Sequence, residues 1–188
     1  MKIRSFIAIN LPEEAKNHLL VLLEELKRKN RQPSIKWVNP EGLHITLHFL
    51  GYQEEGTLEK IGEIIEKLKL KIENLKLELA LGEISAFPNL SRPRVLFVSC
   101  LDGLTIEILK RFQKELGKEL EKLGLEVDKR PWTPHITLAR LKMPILLNLK
   151  SQTSNFKNLS FKVKSIDLMK SELMPTGAKY TILKKFSL

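Results

Sequence analysis

Three features of this 188-residue chain predict an α+β fold built on antiparallel sheets. Segments of strand and helical periodicity alternate, but neighbouring strands often follow one another with no helix between them. That pattern favours antiparallel pairing with helices on one face. The tetrapeptide His-Ile-Thr-Leu occurs twice, at 44–47 and 135–138, about half a chain apart, which points to two related halves. No Gly/Ser linker or low-complexity run divides the chain, so residues 1–188 read as a single domain.

Taken in order, residues 2–10 alternate as a strand, with Ile3, Ile7 and Ile9 on one face. Pro12 opens a helix to about Arg31, with Ala15, Leu19, Leu22, Leu23 and Leu26 at helical spacing. Residues 35–38 form a short strand before the turn signal Asn39-Pro40, and 43–50 alternate as a strand. Leu58 to Leu70 is a second amphipathic helix, with Ile61, Ile64, Ile65 and Leu68 on one side. Strands follow at 75–86 and 94–100 around the turn 88–93. Leu104 to Leu123 is a third helix closed by Gly124. Strands are expected at 125–129 and 134–141, and the 145–157 stretch has no clear period. A last pair, 159–172 and 178–187, surrounds a Pro175/Gly177 turn.

Composition narrows the partners. Lys plus Arg is 32 and Asp plus Glu is 22, a formal net charge of +10, which favours polyanions and nucleic acid above all. Much of that charge lies beside acids in helical runs such as 110–123, where it also serves as a solvated face. The single cysteine, Cys100, excludes an internal disulfide framework and cysteine-based zinc sites, and fits a reducing cytoplasm. No apolar run approaches the roughly 18 residues of a membrane span. The N-terminal residues read as a first strand rather than a signal peptide. Nothing in the sequence requires more than a monomer.

The repeated tetrapeptide carries the chemistry. By alternation, Leu43, Ile45, Leu47 and Phe49 face the core, while His44, Thr46 and His48 face the other side. In the second copy Pro134, Ile136 and Leu138 take the apolar side, and His135, Thr137 and Ala139 the opposite one. Two such strands across a cleft bring together two imidazoles and two hydroxyls. That set suits phosphodiester cleavage: one histidine as base, one as acid, and threonine hydroxyls on the phosphate oxygens. Lys129, Arg130 and Arg140 are the nearby cations. Arg130 is the favoured phosphate contact, because Arg140 falls on the face opposite His135 unless the strand ends or bulges. His48 lies i+4 from His44, about 13 Å along a strand, too far to share a metal. That spacing disfavours a metal-dependent hydrolase built on His44, His48 and His135. His48 reads as a cleft-rim residue, Phe49 and Cys100 as core, and His18 as surface. Trp37 and Trp132 are candidates for either packing or base stacking.

The strings WVNPEGLHITLHFLG (37–51) and KRPWTPHITLAR (129–140) resemble the 2H phosphoesterase superfamily, whose hallmark is a pair of His-x-Thr/Ser-x motifs. The nearest likeness is to bacterial and archaeal RNA 2′,3′-cyclic phosphodiesterases, also called 2′-5′ RNA ligases of the LigT type. It extends to RSFIAINLPEE (4–14), SRPRVLFVSC (91–100) and SELMPTGAKYTILKKFSL (171–188). The resemblance implies a bilobal α+β fold, each lobe an antiparallel sheet backed by helices, with a cleft between them. It implies hydrolysis of an RNA 2′,3′-cyclic phosphate to a 2′-phosphomonoester with no metal and no cofactor. His44 matches the proton donor and His135 the proton acceptor, while Thr46 and Thr137 match the phosphate-binding positions. Attack by a 5′-hydroxyl in place of water would give ATP-independent 2′-5′ ligation. The implied partner is RNA with a 2′,3′-cyclic phosphate end, tRNA fragments among the candidates. Two other readings stand beside this one. One is a non-catalytic module of the same fold that grips RNA ends or nucleotides. The other is a relative that opens small cyclic phosphates of nucleotides or ADP-ribose derivatives.

Overall fold

The computed structural model describes residues 2–149, 159–174 and 177–188. The Pro175 half of the expected final turn, and 150–157 of the stretch without clear period, lie outside the described residues. The elements run β1 (Ile3–Asn10), α1 (Glu13–Lys29), β2 (Ile35–Trp37), β3 (His44–Gln53), α2 (Glu55–Lys69), β4 (Glu78–Phe87) and β5 (Val95–Cys100). They continue with α3 (Leu104–Lys122), β6 (His135–Leu141), β7 (Ser160–Lys162), β8 (Ser165–Met174) and β9 (Gly177–Ser187). A short 3-10 turn at Pro40–Gly42 precedes β3.

Among the described residues the strands form one sheet in the order β7-β4-β5-β6-β3-β1-β8-β9, with β2 also on β6. Every pairing is antiparallel. The sheet has two halves. β3 and β6 meet through a single residue pair, Ile45 opposite Ile136, while β1–β3 and β5–β6 pair over long ladders. The seam between the halves therefore lies between the two copies of the repeated tetrapeptide.

The helices form where apolar residues recur at helical spacing. α1 buries Ala15, Leu19, Leu22, Leu23 and Leu26. Glu13 and Glu14 sit in its first turn and Lys27, Arg28 and Lys29 in its last, each matching the helix dipole. α2 buries Leu58, Ile61, Ile65 and Leu68, and α3 buries Ile106, Leu109, Phe112, Leu116 and Leu120. These stripes join Ile7, Ile9, Ile45, Leu96, Val98 and Ile136 in one core. A smaller cluster of Phe6, Ala8 and Met169, with Tyr180 against it, covers the opposite face beside His44.

Two expected elements differ. No strand forms at 125–129. Gly124 takes φ +81°, and the Leu125 N–H returns to the Leu120 carbonyl, so these residues close α3 instead of joining a sheet edge. The single strand expected over 159–172 is divided between the halves. Ser160–Lys162 pairs with β4, and Ser165 onward pairs with β1 and β9. Apolar alternation survives the crossing, so it does not reveal it. α2 also starts three residues early, at Glu55, because Glu55, Gly56 and Thr57 carry no apolar signal.

Candidate active site

The two motif strands share one irregularity. In β3, Ile7 pairs with His48 and Ala8 with Thr46, so Leu47 is an extra residue in the ladder. In β6, Leu96 pairs with Ala139 and Phe97 with Thr137, so Leu138 is the extra residue. Both bulges fall on the last residue of the repeated tetrapeptide. A bulge shifts the alternation by one place. Each bulged carbonyl is collected from outside the ladder: Leu138 O by the Val38 N–H at 2.9 Å, and Leu47 O by the Gln113 side-chain amide at 3.4 Å.

This phase shift corrects two expectations and meets the condition attached to a third. His48 does not line the cleft rim; it is buried on the helix side, its Nε2 2.8 Å from the Gln113 carbonyl. Gly117 of α3 leaves room for it, since a Cβ there would lie 3.0 Å from His48 Cε1. Phe49 is not core: it is 61% exposed on the cleft side. Arg140 shares the face of His135, as the bulge condition requires. His48 faces away from His44 and His135, so a three-histidine metal site has no common face.

His44, Thr46, His135 and Thr137 surround the Ile45–Ile136 pair on one face of the sheet. An antiparallel pair has a local two-fold axis, and here it relates one motif to the other. Both imidazoles are held alike. His44 Nδ1 lies 2.6 Å from the Gly42 carbonyl, and His135 Nδ1 lies 2.7 Å from the Thr133 carbonyl. A carbonyl only accepts, so each Nδ1 carries the proton and each Nε2 keeps its lone pair. Thr46 Oγ1 lies 3.1 Å from His44 Nε2 and donates to it in this tautomer.

Aromatic rings wedge both imidazoles. Phe6 and Tyr180 stand 4.9 and 5.1 Å from the His44 ring, and Phe97 and Phe87 stand 5.0 and 5.1 Å from the His135 ring. Gly42 permits the first wedge, because a Cβ there would lie 2.9 Å from the Tyr180 ring. Burial lowers the His44 pKa to about 4; the Gly42 hydrogen bond opposes the shift, and the charges of His135 and Arg140 add to it. His135 is lowered by the same main cause, with Arg140 adding to it and the Thr133 hydrogen bond opposing. Arg140 is thus the cation whose field reaches both histidines. No described acidic side chain ion-pairs with its guanidinium.

Arg130, the expected phosphate contact, is placed elsewhere. Its side chain is 87% exposed and bound by Asp128, whose carboxyl it holds down to about 2. Lys129 is paired with Glu121 at 3.6 Å. Trp132 bridges the seam, donating from Nε1 to the Thr46 carbonyl at 2.8 Å, and Trp37 packs on the core. His18 is exposed on α1, its Nδ1 2.9 Å from the Glu14 carbonyl. Cys100 is desolvated, its thiol pushed up to about 12 and inert as a nucleophile. The sequence reading missed the aromatic wedges and Asn10. Asn10 pairs with His44 across β1–β3 and donates to the buried Asp167 carboxylate at 2.7 Å. The available signal was Phe6, which alternates out of phase with Ile7 and Ile9 and so cannot share their core.

The site therefore gathers two Nε2 atoms, that of His44 hydrogen-bonded to the Thr46 hydroxyl, the Thr137 hydroxyl, and a guanidinium without an acidic partner among the described residues, around one gap. An anion entering it offsets the field of Arg140 and accepts from an imidazolium N–H, so its binding raises the histidine pKa values.

No described helix is long and apolar enough to cross a membrane. The chain is similar to two archaeal proteins named RNA 2′,3′-cyclic phosphodiesterase. One, from Methanothermobacter thermautotrophicus, is 32% identical over the full length of both chains. The other, from Methanocaldococcus jannaschii, is 34% identical over 97% of this chain and 99% of its own. A solved structure from Thermus thermophilus superposes with a TM-score of 0.76 at 30% identity, covering 99% of this chain and 98% of that one. Escherichia coli LigT complexed with 3′-AMP gives 0.80 at 22% identity, covering 100% and 99%, and shares the fold. The family model of LigT-like phosphoesterases matches residues 9–97 and 105–180, and with these relatives it shows that the chain belongs to the LigT-like phosphoesterase family.

Proposed function

We propose that the protein is an RNA 2′,3′-cyclic phosphodiesterase, acting as one domain on RNA that ends in a 2′,3′-cyclic phosphate. The observation that carries the reading is the matched pair of imidazoles. Each has its Nδ1 proton tied to a carbonyl and its Nε2 turned to the seam, that of His44 toward the Thr46 hydroxyl. The named relatives and the +10 charge support RNA as the substrate.

In the reaction His135 Nε2 takes a proton from water as the water oxygen bonds to phosphorus. The P–O3′ bond breaks, and His44, protonated in the complex, gives its Nε2 proton to the departing 3′ oxygen. The products are a 2′-phosphomonoester and a 3′-hydroxyl, and proton exchange with solvent resets the pair. Thr46 and Thr137 bind non-bridging oxygens, and Arg140, rather than the Asp128-bound Arg130, supplies the cation. A 5′-hydroxyl in the place of water gives a 2′-5′ linkage by the same proton transfers.

The test is incubation, in EDTA, with a short RNA ending in a 2′,3′-cyclic phosphate, followed by identification of the product. A 2′-phosphate that is absent with His44→Ala and with His135→Ala is expected. Tight binding without turnover would instead leave a binding module.

A further inference from the structure

We propose that Lys36 binds the phosphodiester on the 5′ side of the terminal nucleotide, making the site selective for an RNA chain over a mononucleotide; this rests on the reading above. Lys36 of β2 is the direct cross-strand partner of Arg140 of β6. Directly opposed residues of an antiparallel pair point to the same face, with Cβ atoms about 4.5–5.5 Å apart. Lys36 therefore stands on the cleft face beside the cation that reaches both histidines.

Like charges directly opposite on a sheet destabilise it. Most helix lysines here lie beside a glutamate, and several pair with one. Among the described residues no acidic side chain ion-pairs with Lys36 or Arg140. The neighbours of Lys36 fix its backbone: Ile35 is buried and Trp37 packs on the core. The cation is thus presented outward from a paired strand. This uncompensated pair matches two successive anions. Arg140 faces the phosphate at the histidines, and Lys36 stands beside Arg140 on β2, which pairs with β6 along the same edge as β3. In a polymer that ends in the cyclic phosphate, the next anion is the internucleotide linkage on its 5′ side. A mononucleoside cyclic phosphate has none.

The experiment compares wild type, Lys36→Ala and Lys36→Arg on three substrates. These are cytidine 2′,3′-cyclic phosphate, a dinucleotide ending in the same group, and that dinucleotide with an uncharged methylphosphonate linkage. Lys36→Ala is expected to lower kcat/KM on the charged dinucleotide about five- to tenfold, mainly through KM. It should leave the mononucleotide and the methylphosphonate within about twofold. Lys36→Arg should restore the loss, and the salt dependence of RNA binding should fall by about one phosphate contact in the alanine variant. An equal loss on all three substrates would place Lys36 on the cyclic phosphate itself and overturn the proposal. No loss on any would make it an ordinary surface lysine. If wild type turns over none of the three, the activity reading fails first.

Discussion

β3 and β6 begin with the same four residues and bulge at the same leucine, yet they deliver different side chains beyond it. After Leu47 come His48, buried against α3, and Phe49, exposed on the cleft. After Leu138 come Ala139, buried, and Arg140, exposed. The shared part sets two imidazoles in one geometry. The unshared part gives one half an apolar ring and the other a cation. The halves are therefore a duplicated scaffold with divided labour. The two imidazoles are symmetric in placement, and the side chains that differ between the halves lie just past each bulge.

The largest expected effect tests the symmetric part. His44→Ala and His135→Ala should each lower kcat by about a thousandfold with the circular dichroism spectrum unchanged. The double variant should be little worse than either single one, because the pair acts as a unit. If one histidine can be lost at under about tenfold cost, the paired mechanism is broken.

The next effect tests the asymmetry. Arg140→Ala should lower kcat/KM by about a hundredfold, the scale of removing one preorganised donor. It should also raise both histidine pKa values, since Arg140 lowers both. Phe49→Ala, at the matching place, should cost under about tenfold and leave His135 titrating as before. Equal effects on His135 would mean that the two positions are equivalent after all.

The pH dependence is a third, smaller lever. The productive form has one imidazole charged and one neutral, and its share peaks between their two pKa values. Both lie below the ordinary value of 6.5 in the free protein. kcat/KM should therefore peak on the acid side of about pH 6.5, and kcat at a higher pH, because bound phosphate raises the pair. A flat kcat/KM from about pH 5 to 9 contradicts the mechanism. Stability follows with a definite sign. Between about 4 and 6.5 the unfolded chain binds a proton at His44 that the fold rejects. Stability from this group is complete above that window and is lost as pH falls through it, by up to about 3 kcal/mol. His44→Gln should flatten the fall in Tm.

The smallest effects separate support from chemistry. Gly42→Ala presses on Tyr180, which contacts the His44 ring, and Gly117→Ala presses on His48. Each should cost about 1–3 kcal/mol of stability. Only Gly42→Ala should also lower kcat in the protein that remains folded, because Tyr180, unlike His48, contacts the His44 ring.

The sequence made the helices and most strands legible, because apolar residues at spacing 3.6 or 2 have no other use in this chain. The four motif residues were legible because a fixed string recurred in two matched settings. What stayed hidden depends on a single inserted residue. Leu47-His48-Phe49 continues an alternation perfectly well on paper, so His48 reads as outward and Phe49 as core, and Arg140 on β6 reads as turned away unless its strand bulges. A bulge has no composition of its own, and it is set by the ladders with β1 and β5. Arg130 reads as available in the sequence because nothing there shows that the loop at 125–130 folds it back onto Asp128. The aromatic wedges were hidden for another reason: Phe6, Phe87, Phe97 and Tyr180 come from four strands that only the sheet brings together.

The most direct test of the paired histidines is ¹⁵N NMR of the imidazoles across pH, in the free protein and with a nucleoside 2′-phosphate bound. The expected result is the Nδ1–H tautomer at both His44 and His135. Both should titrate below 6.5 when free, His44 near 4, and one should turn to imidazolium at neutral pH when the phosphate binds. An Nε2–H tautomer at either residue, or pKa values unmoved by the ligand, would contradict an acid and a base poised on one phosphate.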